Sequence, residues 1–168
     1  MRFLVTAFVA LAAAASPALA AHKTTYTYKG KTQEKDTIKF KASDKKVTGL
    51  VTSWTGYCES HKTFPGKTTI KSVKLVHKHD SSGKYLWFEK TGHYNGGFSY
   101  NGQDYTTKYS YDIFSSIQKH VADGAIYGYV KIFDSTGAQV DQCATDGEFD
   151  QNGWYTLGGG TGFNVKGR

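Results

Sequence analysis

Ile38-Lys39-Phe40-Lys41 and Val47-Thr48-Gly49-Leu50-Val51, both within the stretch Tyr26–Cys58, decide the fold class, and before them Thr24–Lys29 alternates, with Tyr26 and Tyr28 on one face and Gly30 ending the run. Ile38 and Phe40 point one way while Lys39 and Lys41 point the other, the period of two expected of a strand with one buried face. Val47 to Trp54 is β-branched enough for a further strand, and Ser43-Asp44-Lys45-Lys46 reads as the turn between them. The stretch ends on Cys58. The chain's only other cysteine, Cys143, lies 85 positions later, so a bond between them would tie the first half of the chain to the second.

The first twenty residues read as a secretory signal. Met1-Arg2 supplies the positive start, Phe3–Ala15 the apolar run, Ser16-Pro17 the break, and Ala18-Leu19-Ala20 the small-x-small cleavage pattern. The run is too short to span a hydrocarbon layer of about 30 Å, and no long apolar stretch follows it. Cleavage after Ala20 leaves 148 of the 168 residues, enough for one hydrophobic core. The expected product is exported, monomeric and without a transmembrane segment, with a single domain over 21–155 and a Gly-rich flexible tail over 156–168.

Two cysteines in an exported chain most simply form one disulfide, with two free thiols as the alternative. A cysteine metal site is disfavoured because neither has a close C-x-x-C partner. The formal charge of +7 is unevenly spread. Ala21–Lys90 holds fifteen Lys against six acids, and Thr91–Arg168 holds five basic residues against eight acids. Nearly all the cations are lysines, solvated point charges, whereas shaped phosphate recognition recruits arginine forks. Specific nucleic-acid binding is therefore not expected, and attraction to an anionic polymer is.

Further along, Glu59–Lys67 with Pro65-Gly66 reads as a loop. Thr69–Lys78 reads as one strand whose apolar positions change parity near Ser72, where a bulge is expected. Asp80-Ser81-Ser82-Gly83 reads as a hairpin loop before Tyr85–Phe88, and Gly92–Gly97 as a turn cluster. Tyr105, Thr107, Tyr109 and Tyr111 share one strand face. Ile113–Val121 is read as strand over helix, Asp123-Gly124 as a hairpin turn, and Asp134-Ser135-Thr136-Gly137 as another turn. The sum is about nine or ten strands without βαβ alternation. That predicts an all-β, antiparallel two-sheet sandwich of jelly-roll-like type, with a closed barrel as the alternative.

Four segments carry a resemblance: Tyr28-Lys29-Gly30-Lys31-Thr32, Ile38-x-Phe40, Val47–Cys58, and Gly128-Tyr129-Val130-Lys131-Ile132 running on to Cys143. In these the chain resembles a group of small exported bacterial proteins, many actinobacterial, with no assigned activity. The resemblance implies a compact sandwich closed by a Cys58–Cys143 bond, and it transfers no catalytic residue.

Candidate chemistry is sparse. His77 and His79 share a strand face in the way of metal ligands, but at the border of a polar turn, where exposed histidines are ordinary. Asp146–Asn152 mimics a calcium loop but has Gln151 at the glycine position and Leu157 at the final glutamate position. There is no G-x-S-x-G elbow, and Glu59, Glu89 and Glu148 cannot be set opposite one another. Aromatic residues are 15% of the chain and give the better lead. Tyr127 and Tyr129 alternate with Ile126, Val130 and Ile132, and Tyr85 and Trp87 alternate with Leu86 and Phe88. These four are the expected binding residues, either stacking on sugar rings or simply supporting the outer sheet face. No cofactor or metal is expected. The favoured function is non-catalytic binding of an extracellular polysaccharide or anionic cell-envelope polymer. The alternatives are a secreted hydrolase of envelope material and an interaction protein with no small ligand.

Overall fold

A computed structural model describes residues 24–145 and 160–168; the expected signal peptide lies outside the described residues. The described residues form ten strands: β1 (Tyr26–Lys31), β2 (Thr37–Ala42), β3 (Lys46–Cys58), β4 (Thr63–Lys74), β5 (Val76–Asp80), β6 (Gly83–Tyr100), β7 (Gln103–Gln118), β8 (Val121–Phe133), β9 (Gln139–Ala144) and β10 (Thr161–Lys166). All pairings between them are antiparallel. Among the described residues no helix is long and apolar enough to cross a membrane.

Two meanders, β1 to β4 and β5 to β9, form two facing layers. The strand path runs β1-β2-β3-β9-β8-β7-β6-β5, with β4 on the other side of β3 and β10 beside β8. Among the described residues the sheet does not close into a barrel, and β4 pairs only with β3 and β5 only with β6. β9 and β10 join the layers along one flank. The N-terminal half of β8 pairs with β10 and its C-terminal half with β9. β9 in turn meets β3 at Tyr57↔Ala144 and Cys58↔Cys143, and β10 touches β1 at Tyr28↔Gly167.

Alternation fills the space between the layers. Ile38, Phe40 and Ala42 are buried while Lys39 and Lys41 are exposed. Tyr28 stacks on Phe40 at 4.7 Å between centroids, and Phe40 meets Phe88 of the other layer edge-on at 5.9 Å. Trp54 is the largest fully buried side chain. Gly66 of β4 and Gly128 of β8 leave room for its indole, and Nε1 donates to Thr68 Oγ1 at 3.2 Å. That bond satisfies a donor that would otherwise be costly to bury. Cys58 and Cys143 form the disulfide, with Cα atoms 3.9 Å apart.

Several expectations are corrected. Glu59–Lys67 is mostly strand, because β4 already begins at Thr63 and runs through Pro65-Gly66. No bulge falls near Ser72, since the β3–β4 register is unbroken from Lys46↔Lys74 to Tyr57↔Thr63. The register shift lies between β2 and β3, opposite Phe40, where Gly49 at φ 59° supplies the left-handed residue of a glycine bulge. The expected strand Thr69–Lys78 is split between β4 and β5 by buried Leu75. Gly92–Gly97 lies inside β6, whose hairpin with β7 turns at Asn101-Gly102, φ 51° and 74°. Asp123-Gly124 lies inside β8, and the β7–β8 turn is Lys119-His120. The described part of the expected flexible tail holds strand β10, with Phe163 and Val165 buried.

Candidate functional site

The four predicted binding aromatics, Tyr85, Trp87, Tyr127 and Tyr129, face outward on the layer β5–β8, and the structure adds a ring that the sequence reading missed. Trp87 (β6) stacks on Phe114 (β7) at 5.5 Å and 22°, and Phe114 stacks on Tyr127 (β8) at 5.8 Å and 28°. The row follows from diagonal neighbours on adjacent strands, the spacing at which large rings meet. Both its ends are covered. Lys78 Nζ lies 4.5 Å from the Trp87 ring centroid, and Gly160 packs so close to Tyr127 that a β-carbon there would stand 2.7 Å from Cζ. The ring faces of this row are thus taken up by one another and by their neighbours.

Tyr129 lies on the same face, two residues on from Tyr127. Its hydroxyl donates to Gln142 Oε1 at 2.6 Å, and Gln142 Nε2 donates to Glu59 Oε1 at 2.6 Å. Burial, then the charge of Glu59, pushes the Tyr129 phenol above its ordinary range. Tyr85 stands beside Asp80. Burial, then the Asp80 charge, raises its phenol too, while the Ser82 hydroxyl holds Asp80 below the usual carboxylate range. Trp87 and Tyr127 are therefore brought together through Phe114, whereas Tyr129 is tied into a polar chain.

A groove of about 590 Å³ opens between the tip of the β6–β7 hairpin and the ends of β3, β4 and β9. Phe64, Pro65, Ile132 and Val140 give it an apolar lining. Phe98 stacks on Tyr105 at 5.1 Å and meets Phe64 at 5.6 Å. Tyr100 is 58% exposed and Phe98 36%, so aromatic surface remains open to solvent here. Lys62 Nζ stands 6.0 Å from the Tyr100 ring centroid. At the rim, Ser60 Oγ donates to Asp141 Oδ2 at 2.5 Å and Ser60 N to Oδ1 at 3.3 Å. The Ser60 hydroxyl thus meets a carboxylate and not an imidazole. The Gly-rich composition of Gly92–Gly102 hid this site, although Asn101-Gly102 is a hairpin signal that could have revealed it.

The one trio among the described residues close enough to share a metal is Cys58, Asp141 and Cys143, and its sulfurs form the disulfide. His77 and His79 lie on exposed β5 and belong to no such group. The calcium-like stretch Asp146–Asn152, with Glu148 and Leu157, lies outside the described residues. Among the other expected acids, Glu59 pairs with Gln142, and Glu89 lies on the outer face near Asp112. No protein-family model matches this chain, and neither curated proteins nor solved structures give a match.

Proposed function

We propose that this chain is an exported binding protein for an extracellular polysaccharide, working through the groove at the β6–β7 tip and not by catalysis. The proposal includes kinship with the small exported bacterial proteins that it resembles. The observation that carries it is the open aromatic surface of Phe98 and Tyr100 above an apolar lining with a polar rim. A sugar ring offers an apolar face to such a surface and hydroxyls to Ser60, Lys62 and Asp141. Ring faces in the row Trp87–Phe114–Tyr127 are already occupied, so a sugar could reach only their edges there.

The test is glycan binding to the processed chain, followed by calorimetry against a panel of neutral polysaccharides. Phe98→Ala/Tyr100→Ala should weaken binding by at least roughly tenfold, as expected when stacking rings are removed. Tyr127→Ala/Tyr129→Ala should leave it nearly unchanged. The opposite pattern would move the site to the outer face, and no binding by the parent chain would overturn the proposal.

A further inference from the structure

Recesses, side-chain clusters and exposed patches elsewhere on the molecule point most strongly to the outer face of β1 and β2. A recess of about 760 Å³ lies there, bounded by the β1–β2 hairpin, Val51 of β3 and the C-terminal strand. Five cations line it: Lys29, Lys31, Lys39, Lys166 and Arg168. No Asp or Glu is among its described lining residues.

The register makes the crowding specific. Lys29 lies directly opposite Lys39 in the β1–β2 ladder. The bridge Tyr28↔Gly167 sets Lys29 beside Lys166 on its other side, one step along an antiparallel pair. Thr27 and Arg168 exchange backbone hydrogen bonds at 2.9 and 3.0 Å, which fixes this alignment. Three lysines therefore stand in a row across β10, β1 and β2, spaced by the interstrand distance of about 4.8 Å. Like charges directly opposite destabilise a sheet. Exposed edge strands carry lysine to prevent edge pairing, but β1 has β2 on one side and β10 on the other, so that reason does not apply to Lys29.

We infer that this recess binds a carboxylated polysaccharide, a polymer whose regularly spaced uronate groups neutralise the lysine row. Four of the five cations are lysines, which suit scattered carboxylates better than the forked geometry that arginine offers to phosphate. Thr27 and Thr37 add hydroxyls, and Val51 gives the apolar surface on which a sugar ring can rest. The inference rests on the polysaccharide reading above for its ligand class, but it concerns a different site that shares no lining residue with the tip groove.

Polygalacturonate, its methyl-esterified form and inorganic polyphosphate are titrated against the processed chain. The variants are Lys29→Gln/Lys39→Gln/Lys166→Gln and a control of equal charge change, Lys45→Gln/Lys71→Gln/Lys74→Gln. The row variant should bind polygalacturonate roughly ten- to hundredfold more weakly, the control less than about threefold. Because a repulsion is removed, the row variant should also melt at a higher temperature, which shows that it is folded. Equal losses in the two variants, tighter binding of polyphosphate, or no binding of polygalacturonate would each overturn the inference. If Phe98→Ala/Tyr100→Ala abolishes polygalacturonate binding while the row variant retains it, the recess is refuted and the tip groove stands. The reverse result leaves the recess standing alone.

Discussion

The indole of Trp54 lies so close to Gly128 of the facing layer that a β-carbon on Gly128 would stand 2.5 Å from Trp54 Cδ2. Gly66, on the neighbouring strand, approaches the same ring from β4, where a β-carbon would stand 2.1 Å from Cε2. The layers therefore meet around one large ring, and the glycines are there for proximity. Gly128 also closes the gap between β9 and β10: its carbonyl accepts from Thr145 N at 3.0 Å.

Gly128→Ala should reduce unfolding free energy by about 2–3 kcal/mol, because backbone and a fully buried ring cannot both give way. Gly102→Ala is the contrast. Nothing lies within 4 Å of a β-carbon there, and only φ 74° opposes it, so the cost should be about 1 kcal/mol. Urea unfolding of the two variants measures both. Adding Trp54→Phe to Gly128→Ala should recover part of the loss and should recover nothing in Gly102→Ala.

Asp112 should be a source of instability at neutral pH. Burial, and then the Glu89 charge, holds its carboxyl above the ordinary carboxylate range, and Oδ1 is buried without a hydrogen-bond partner among the described residues. The folded chain therefore takes up this proton at higher pH than the unfolded chain, so the ionised form costs stability, and the cost fades as the medium is acidified. Asp112→Asn is expected to raise the melting temperature at about pH 7 and to make little difference near about pH 3. The gain should be roughly half a kcal/mol, since the site is partly solvated. Parallel melts across pH check both size and sign.

Asp134 should behave in the opposite way. Its Oδ1 accepts from Thr136 Oγ1 at 2.6 Å, Thr136 N at 2.9 Å and Ala138 N at 3.0 Å, pinning the β8–β9 turn. The Thr136 hydroxyl first, with backbone amides beside it, holds this carboxyl below its ordinary range. The stabilisation is present above the unfolded carboxylate pKa and is lost as pH falls through the folded one. Asp134→Ala should melt below the parent chain at neutral pH, and the gap should close in acid.

Replacing both Cys58 and Cys143 with serine should cost about 4 kcal/mol on the chain-entropy account of an 85-residue separation. β3 meets β9 through two residue pairs, and Cys58 lines the tip groove, so glycan binding there should weaken as well. Denaturant titration and calorimetry of the same variant measure the two losses.

Alternation in sequence located the core well. Ile38 and Phe40, Ile126 and Val130, and Leu86 and Phe88 lie on the faces their parity assigns, with Leu86 half-buried. Glycine misled, because it serves two purposes that look alike in one dimension. Asp123-Gly124 reads as a hairpin turn yet lies inside a strand, whereas Asn101-Gly102, a dipeptide of the same kind that the sequence reading missed, does turn. A β-carbon on Gly124 would stand 2.1 Å from the Phe114 carbonyl oxygen and 2.8 Å from Phe163 Cζ, so that glycine makes room for a neighbouring strand. Such contacts join residues far apart in sequence. The aromatic row was half legible for the same reason: Trp87 and Tyr127 were found from parity, while Phe114 needed the pairing of β7 with both its neighbours. The lysine row was visible only as an excess of charge, since its members come from three strands.

The bond from Cys58 to Cys143 also dictates a sequence of events during maturation. The β6–β7 hairpin needs only adjacent chain and can zip up early, whereas the pairing of β3 with β9 has to wait until β8 carries β9 to it. Because the chain holds no third thiol, oxidation cannot select a wrong partner within the chain. It acts as a latch that shuts once the sheet is nearly complete, and the moment of its closing marks each copy that has arrived at the finished form.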